Sequence, residues 1–266
     1  MQITMDKQAI KASFSKAAGY YDLFADLQRD VGHQLVSLMG ERKGNIDSVL
    51  DLGCGTGYFS TLLNEINGKK TSLTCFDLSP QMLQQASLRQ LENCQFVEGD
   101  IDHLPFSTHQ FDLVFSNLVL QWSEHLASSL KQIKASLNQQ GVLYFSTLLN
   151  GSLLELKQAW KQVDGFPHIN AFLTEKEVKE ALIKSGFTHF IINKETRVKK
   201  YNSIIDVMKA LKGIGANHVH HRNKVRMTGK RLLQQLALGY APYRDEHGFY
   251  NLSYQVCYVT AFKEPR

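Results

Sequence analysis

The sequence predicts an α/β domain, doubly wound around a mostly parallel, seven-stranded sheet, and three observations predict it. The run Val49-Leu50-Asp51-Leu52-Gly53-Cys54-Gly55-Thr56-Gly57 carries an apolar strand into a glycine turn that opens a helix. Short apolar strand signals then recur along the chain with helical stretches between them, the rhythm of a parallel sheet covered by helices on both faces. Two helix starts carry capping chemistry: Ser79-Pro80, with proline in the first turn, and Thr174-Glu175-Lys176-Glu177, a capping box.

Taken in order, residues 1–44 read as helical. Ile10, Phe14, Ala17 and Tyr21, and then Leu27, Val31, Leu35 and Leu38, recur at helical spacing. Strands are expected at 48–52, 71–76, 95–98, 111–116, 141–148, 190–193 and 252–262. The interval 201–245 breaks the rhythm. It holds helical pieces at 204–211 and 229–238 around a His- and Arg-rich turn, and it reads as an insertion before the last strand, where substrate sides of sites are commonly built. The expected layout is therefore one domain over 1–266: an N-terminal helical lid (1–44), a cofactor-binding core (45–150) and a substrate-side helical insertion (201–245). No internal repeat or low-complexity tract interrupts it.

With 266 residues, 43% hydrophobic and 21% charged, the chain can bury a full α/β core and has an ordinary water-facing composition. No apolar run approaches the ~20 residues of a membrane helix, so no membrane association is expected. The first eighteen residues carry Lys7, Lys11 and Lys16 but no apolar centre, which argues against a secretory signal. Asp6 and the lack of arginine argue against a transit peptide. A cytoplasmic setting is expected, and Cys54, Cys75, Cys94 and Cys257, without C-x-x-C pairing, read as free thiols with no metal site. The net charge of +5 hints at an acidic partner or ligand.

The glycine loop narrows the ligand. A dinucleotide loop wants G-x-G-x-x-G, and Tyr58 stands where its third glycine belongs; a P-loop needs a Lys-Ser/Thr pair that is missing. Asp51, two residues before Gly53, suits a ligand with a cationic end. Gly53 and Gly55 bring the main chain close to that ligand. Asp77, 26 positions after Asp51 at the end of the second strand, suits a ribose diol, although an acid there also favours the start of the next helix. Leu78 and Met82 can flank a base or simply fill the core. Asp100 ends the third strand, where it can accept from a base amino group, with Ile101 against the ring; Asp100 is also a turn former. Asn117 falls at the carboxyl end of the fourth strand, beside the crevice where open α/β sheets bind ligands. Gln121 and Trp122 follow, and Trp122 is expected in the core.

D-x-G-x-G-x-G after a strand resembles motif I of the class I S-adenosylmethionine-dependent methyltransferases, and Phe111-Asp112-Leu113-Val114-Phe115-Ser116-Asn117 resembles their motif IV. The likeness covers about residues 43–149. Three further stretches resemble the malonyl-[acyl-carrier protein] O-methyltransferases of biotin synthesis. They are Lys7 to Gln28, Ser116-Asn117-Leu118-Val119-Leu120-Gln121-Trp122, and Leu211-Lys212-Gly213-Ile214-Gly215-Ala216-Asn217-His218. The resemblance implies S-adenosyl-L-methionine as cofactor, held by the residues above, with S-adenosyl-L-homocysteine as product and Asp51 on its ammonium. It implies methylation of the free carboxylate of a malonyl thioester, on acyl-carrier protein or coenzyme A. A carboxylate is ionised at pH 7, so no catalytic base is expected. Tyr21 is expected to close over the cofactor, and His218, Arg222 and Arg226 are candidates for the substrate carboxylate. Lys209, Lys212, Arg222, Lys224, Arg226, Lys230 and Arg231 can steer an acidic carrier protein. They lack the aromatic interleaving of a single-strand binder, so no nucleic acid is expected. A monomer is expected. Two other readings stay open on the fold alone: a quinone-type methyltransferase, and a non-catalytic cofactor- or RNA-binding protein.

Overall fold

The structure, a computed structural model, describes residues 6–40, 46–68, 70–164, 166–215 and 229–264. Its centre is a seven-stranded sheet in the order β3-β2-β1-β4-β5-β7-β6. The strands are β1 (Ser48–Leu52), β2 (Ser72–Asp77), β3 (Cys94–Glu98), β4 (Phe111–Asn117), β5 (Leu137–Leu148), β6 (His189–Tyr201) and β7 (Tyr250–Phe262). Pairing is parallel from β3 through β5, and β7 runs antiparallel to both of its neighbours. The chain leaves the β3 edge and returns beside β1 as β4. That reversal opens a crevice at the carboxyl ends of β1 and β4.

Side chains alternate across the sheet and split into two cores. On β4, Leu113 and Phe115 join one core while Val114 faces the other. The first core is closed by α2 (Asp26–Ser37), α3 (Tyr58–Asn67), α4 (Pro80–Ser87), α6 (Leu154–Lys161), α8 (Ile204–Gly213) and α9 (Gly229–Tyr240). The second is closed by α5 (Leu126–Ser136) and α7 (Glu175–Lys184) through Leu130, Ile133, Val178 and Leu182. With both faces covered, the central strands can be apolar throughout, and β1 is buried from Val49 to Leu52.

The capping signals act as read. Ser79 Oγ accepts from Met82 N–H at 3.2 Å, and Thr174 forms a reciprocal capping box with Glu177. Thr71 falls outside β2 because its hydroxyl donates back to Ile46 O and Asn67 O, which makes it part of the preceding turn. The sixth strand is the larger departure. Expected at 190–193, it extends to Tyr201 through Lys194, Glu195, Arg197, Lys199 and Lys200. It is an edge strand paired residue by residue with β7, so its outward positions are polar and carry little strand signal. The helical pieces expected at 204–211 and 229–238 are α8 and α9.

Before the sheet, α1 (Lys7–Ala17) begins at Asp6, which caps Ala9 N–H. It is pinned against the carboxyl end of the sheet by Lys7, whose Nζ meets Asp100 Oδ1 at 2.8 Å, Asp102 Oδ2 at 2.6 Å and Trp122 O at 2.9 Å. Among the described residues, no helix is long and apolar enough to cross a membrane, and no group of His, Cys, Asp and Glu is placed to hold a metal ion. Cys54, Cys75 and Cys257 are buried and Cys94 is half-buried; all four are free thiols.

Candidate functional site

The glycine turn shapes the floor of the crevice. Gly53 sits at φ +78°, and a Cβ built there would come within 2.2 Å of Val119 Cγ2. Handedness and close approach therefore both demand glycine at this point. Gly55 at φ +54° aims its N–H at Asp77 Oδ2 (2.9 Å), while Ser79 N–H donates to Asp77 Oδ1 at 2.8 Å. Each Asp77 oxygen keeps capacity for a further donor. Burial raises the Asp77 carboxyl to about 6, and the backbone donors only partly offset it.

The structure gathers nine of the ten residues expected to hold the cofactor around one cavity of about 80 Å³. Gly53, Gly55, Asp77, Leu78, Met82, Asp100, Ile101, Asn117 and Tyr21 all line it. The tenth, Asp51, lies in an adjoining cavity of about 50 Å³ that Tyr21, Gly53, Gly55 and Asn117 also line. Asp51 is only 2% exposed and accepts from Ser60 Oγ at 2.6 Å. Burial, reinforced by Cys75, pushes its carboxyl well above the usual range. A buried carboxyl of that kind fits a cationic ligand group, which would restore its charge.

Asn117 is doubly tied: its Nδ2 donates to Gln28 O at 2.9 Å and its Oδ1 accepts from Ser146 Oγ at 2.7 Å. This clamps the first turn of α2 to the ends of β4 and β5. Asp100 is less available than expected, because Lys7 and Asp102 N–H both bond to its Oδ1. Tyr21 is the residue common to every part of the site. Burial, helped by the charges of Asp77 and Asp22, pushes its phenol far up, so it remains an O–H donor at any working pH.

Beyond this lies a chamber of about 260 Å³, mostly apolar, which shares Phe14, Tyr21, Leu118 and Trp122 with the loop cavity. Trp122 therefore needs correcting. It rests on the core with one side but serves as a wall between two cavities, edge-on to Phe14 at 5.6 Å between ring centroids. A short 3₁₀ turn, Leu120–Trp122, lifts it out of the sheet's interior. Leu118, at the same wall, holds φ +55°, with its N–H bonded to Ser146 O and Ser146 Oγ. Such a left-handed leucine costs on the order of 1–3 kcal/mol and is typical of a functional turn.

The insertion lines the chamber through Met208, Leu211, Lys212 and Ile214 of α8 and its end. The sequence reading passed over the segment after β5, which supplies much of the remaining wall. There His168 stacks on Trp160 (3.8 Å between centroids, 9° between planes), and its Nε2 lies 2.8 Å from Asp164 Oδ1. Lys7, Phe14, Gln28, Arg29 and Val119 were also missed as site residues. Lys7, Phe14, Gln28 and Val119 stood in stretches that carried the resemblance, without a role assigned to them; Arg29 carried no signal. His218, Arg222 and Arg226 lie outside the described residues.

Comparison with known proteins bears on the family and the fold. A family model described as "Methyltransferase domain" matches residues 44–206. The chain is 40% identical to the malonyl-[acyl-carrier protein] O-methyltransferase of Serratia marcescens, over 98% of each chain. It is 37% identical to the protein of the same name from Yersinia pestis, over 98% of this chain and 94% of that one. It is also 32% identical, over 97% of its own length, to about half (51%) of the biotin biosynthesis bifunctional protein BioHC of Cellvibrio japonicus. Among solved structures it resembles a putative methyltransferase from Bacillus halodurans, with a TM-score of 0.61 at 17% identity. That likeness covers 88% of this chain and 100% of the other. It is also similar to the YcgJ protein of Bacillus subtilis, with a TM-score of 0.64 at 14% identity and the same coverage. These structural likenesses speak for the fold.

Proposed function

Because this chain belongs to the malonyl-[acyl-carrier protein] O-methyltransferase family of methyltransferases, we propose that it methylates the free carboxylate of a malonyl thioester, giving the methyl ester that primes pimeloyl synthesis for biotin. The observation that carries this reading is the shared wall: Phe14, Tyr21, Leu118 and Trp122 border both the loop cavity and the chamber. A donor in the loop cavity and an acceptor in the chamber can meet at that wall.

The loop cavity fits S-adenosyl-L-methionine by the chemistry of its walls. Asp51 takes the ammonium, Asp77 the ribose hydroxyls, Leu78, Met82 and Ile101 the faces of the base, and Asp100, steadied by Lys7, the base's polar edge. Bound there, the cofactor supplies a methyl group on a positively charged sulfur, ready for a nucleophile that has no proton to lose. Arg29, on the wall beside Asp51, suits the cofactor's own carboxylate. The residues 1–44 act as a lid, with α1 tied down by Lys7.

On the acceptor side the chain need only position. The malonyl carboxylate is ionised without help, and the Tyr21 hydroxyl can donate to it while remaining neutral. The apolar chamber excludes water and strengthens each remaining polar contact. His218, Arg222 and Arg226 bring the carboxylate in, and the basic run from Lys209 to Arg231 steers an acidic carrier protein. A reducing cytoplasm suits the four free thiols.

The test is methyl transfer from labelled S-adenosyl-L-methionine to malonyl-acyl-carrier protein, with malonyl-coenzyme A and acetyl-acyl-carrier protein alongside. Base-labile label on malonyl acceptors alone establishes the reaction, and the carrier arm against the coenzyme A arm identifies the donor of the malonyl group. Cofactor binding without any transfer to malonyl would refute it.

A further inference from the structure

Gln28 carries the one unexplained polar group at the meeting point of the cavities. Its Oε1 is buried without a hydrogen-bond partner among the described residues. Native proteins rarely leave such an acceptor unmatched, and an absent ligand group is a standard reason when they do. The placement of Gln28 says which ligands. Gln28 lines the small cavity that holds Asp51, the large apolar chamber and an outer crevice beside β6. Tyr21 is the other residue that borders both the Asp51 cavity and the chamber.

We propose that the Gln28 carboxamide bridges the two reactants: Oε1 accepts from the cofactor's ammonium, and Nε2–H donates to one oxygen of the acyl carboxylate. This rests on the malonyl reading above. A carboxamide suits the place better than a charged side chain. A cation would sit against the cofactor's own positive charge. An anion would repel the substrate. A neutral group with a donor and an acceptor on one rigid plane orients both ligands at once. The frame is also held independently of the side chain, since the backbone oxygen of Gln28 accepts from Asn117 Nδ2 at 2.9 Å. Substitution at Gln28 leaves that anchor in place.

Two nearly isosteric variants separate the two contacts. Gln28→Glu keeps an acceptor and loses the donor; Gln28→Leu loses both. Calorimetry with S-adenosyl-L-homocysteine alone reads the cofactor contact. The expected result is a Kd at least fivefold weaker in Gln28→Leu and unchanged or tighter in Gln28→Glu. Steady-state turnover with malonyl-acyl-carrier protein reads the acyl contact, and KM is expected to rise at least tenfold in Gln28→Glu. Thermal melts equal to wild type in both variants exclude a purely structural role. Homocysteine-product affinity unchanged in both variants, or an unchanged malonyl KM in Gln28→Glu, overturns the bridge. A wild-type protein that binds the product but never methylates malonyl thioesters refutes the malonyl reading instead, and the calorimetric arm still decides the cofactor contact.

Discussion

Asp77 offers the sharpest test of the site, because its burial and its proposed task pull in opposite directions. The fold raises its carboxyl from 3.8 to about 6. A raised folded value means that the native state holds the proton more tightly than the unfolded chain does. The resulting stability is present in full below about 3.8 and is lost as pH rises through about 6. Cofactor binding runs the other way, since two ribose hydroxyls need an ionised acceptor. At pH 7.5 nearly all of the group is ionised, whereas at pH 5 about one molecule in eleven is, so affinity falls about tenfold, or ~1.4 kcal/mol. The assay is calorimetric titration of S-adenosyl-L-homocysteine between pH 5 and 8, on the wild type and on Asp77→Asn. The variant is expected to bind more weakly throughout and to lose the step near pH 6. A flat wild-type profile refutes the assignment. A step that survives in Asp77→Asn also refutes it and transfers the titration to Asp51.

Three further outcomes are expected. Gly53→Ala places a Cβ at 2.2 Å from Val119 and in a left-handed conformation, so cofactor affinity should drop at least a hundredfold by calorimetry and the melting temperature should fall. Lys7→Met leaves Asp100 and Asp102 without their shared cation; on the order of 1–3 kcal/mol of stability should be lost in a denaturant titration, with weaker cofactor binding as α1 loosens. Arg226→Ala should damage malonyl-thioester turnover far more than cofactor affinity, and equal loss in both, or in neither, removes Arg226 from the substrate side.

The loop-cavity half of the candidate site was legible because local rules produce it. Strand, glycine turn and helix are contiguous in sequence. Asp77 and Asn117 each end a parallel strand, Asp100 follows the end of β3 by two residues, and parallel strands of a doubly wound sheet end at one crevice. Reading the strand ends and the turns after them was therefore enough to bring eight of the nine residues to one cavity, and the ninth, Tyr21, came from the N-terminal resemblance. The chamber was not legible in the same way. Its wall combines Phe14 from α1, Trp160 and His168 from the segment after β5, Met208 from α8 and Tyr254 from the last strand. No periodicity links positions so far apart. Trp122 shows the limit at a single residue: a tryptophan after an apolar strand reads as core, and only the 3₁₀ turn beneath it makes it a partition.

By itself, then, the sequence determined the sheet, its switch point and the carboxyl ends of β1 to β4 that border the crevice, because these follow from backbone conformation and side-chain alternation over a few residues. The tertiary structure alone decided which distant side chains meet. It set Lys7 between two aspartates, left the Gln28 oxygen without a partner among the described residues, and lifted Asp77 and Asp51 out of the ordinary carboxylate range. Those properties depend on burial and on partners contributed by other elements, and burial is a property of the packed molecule rather than of any stretch of chain.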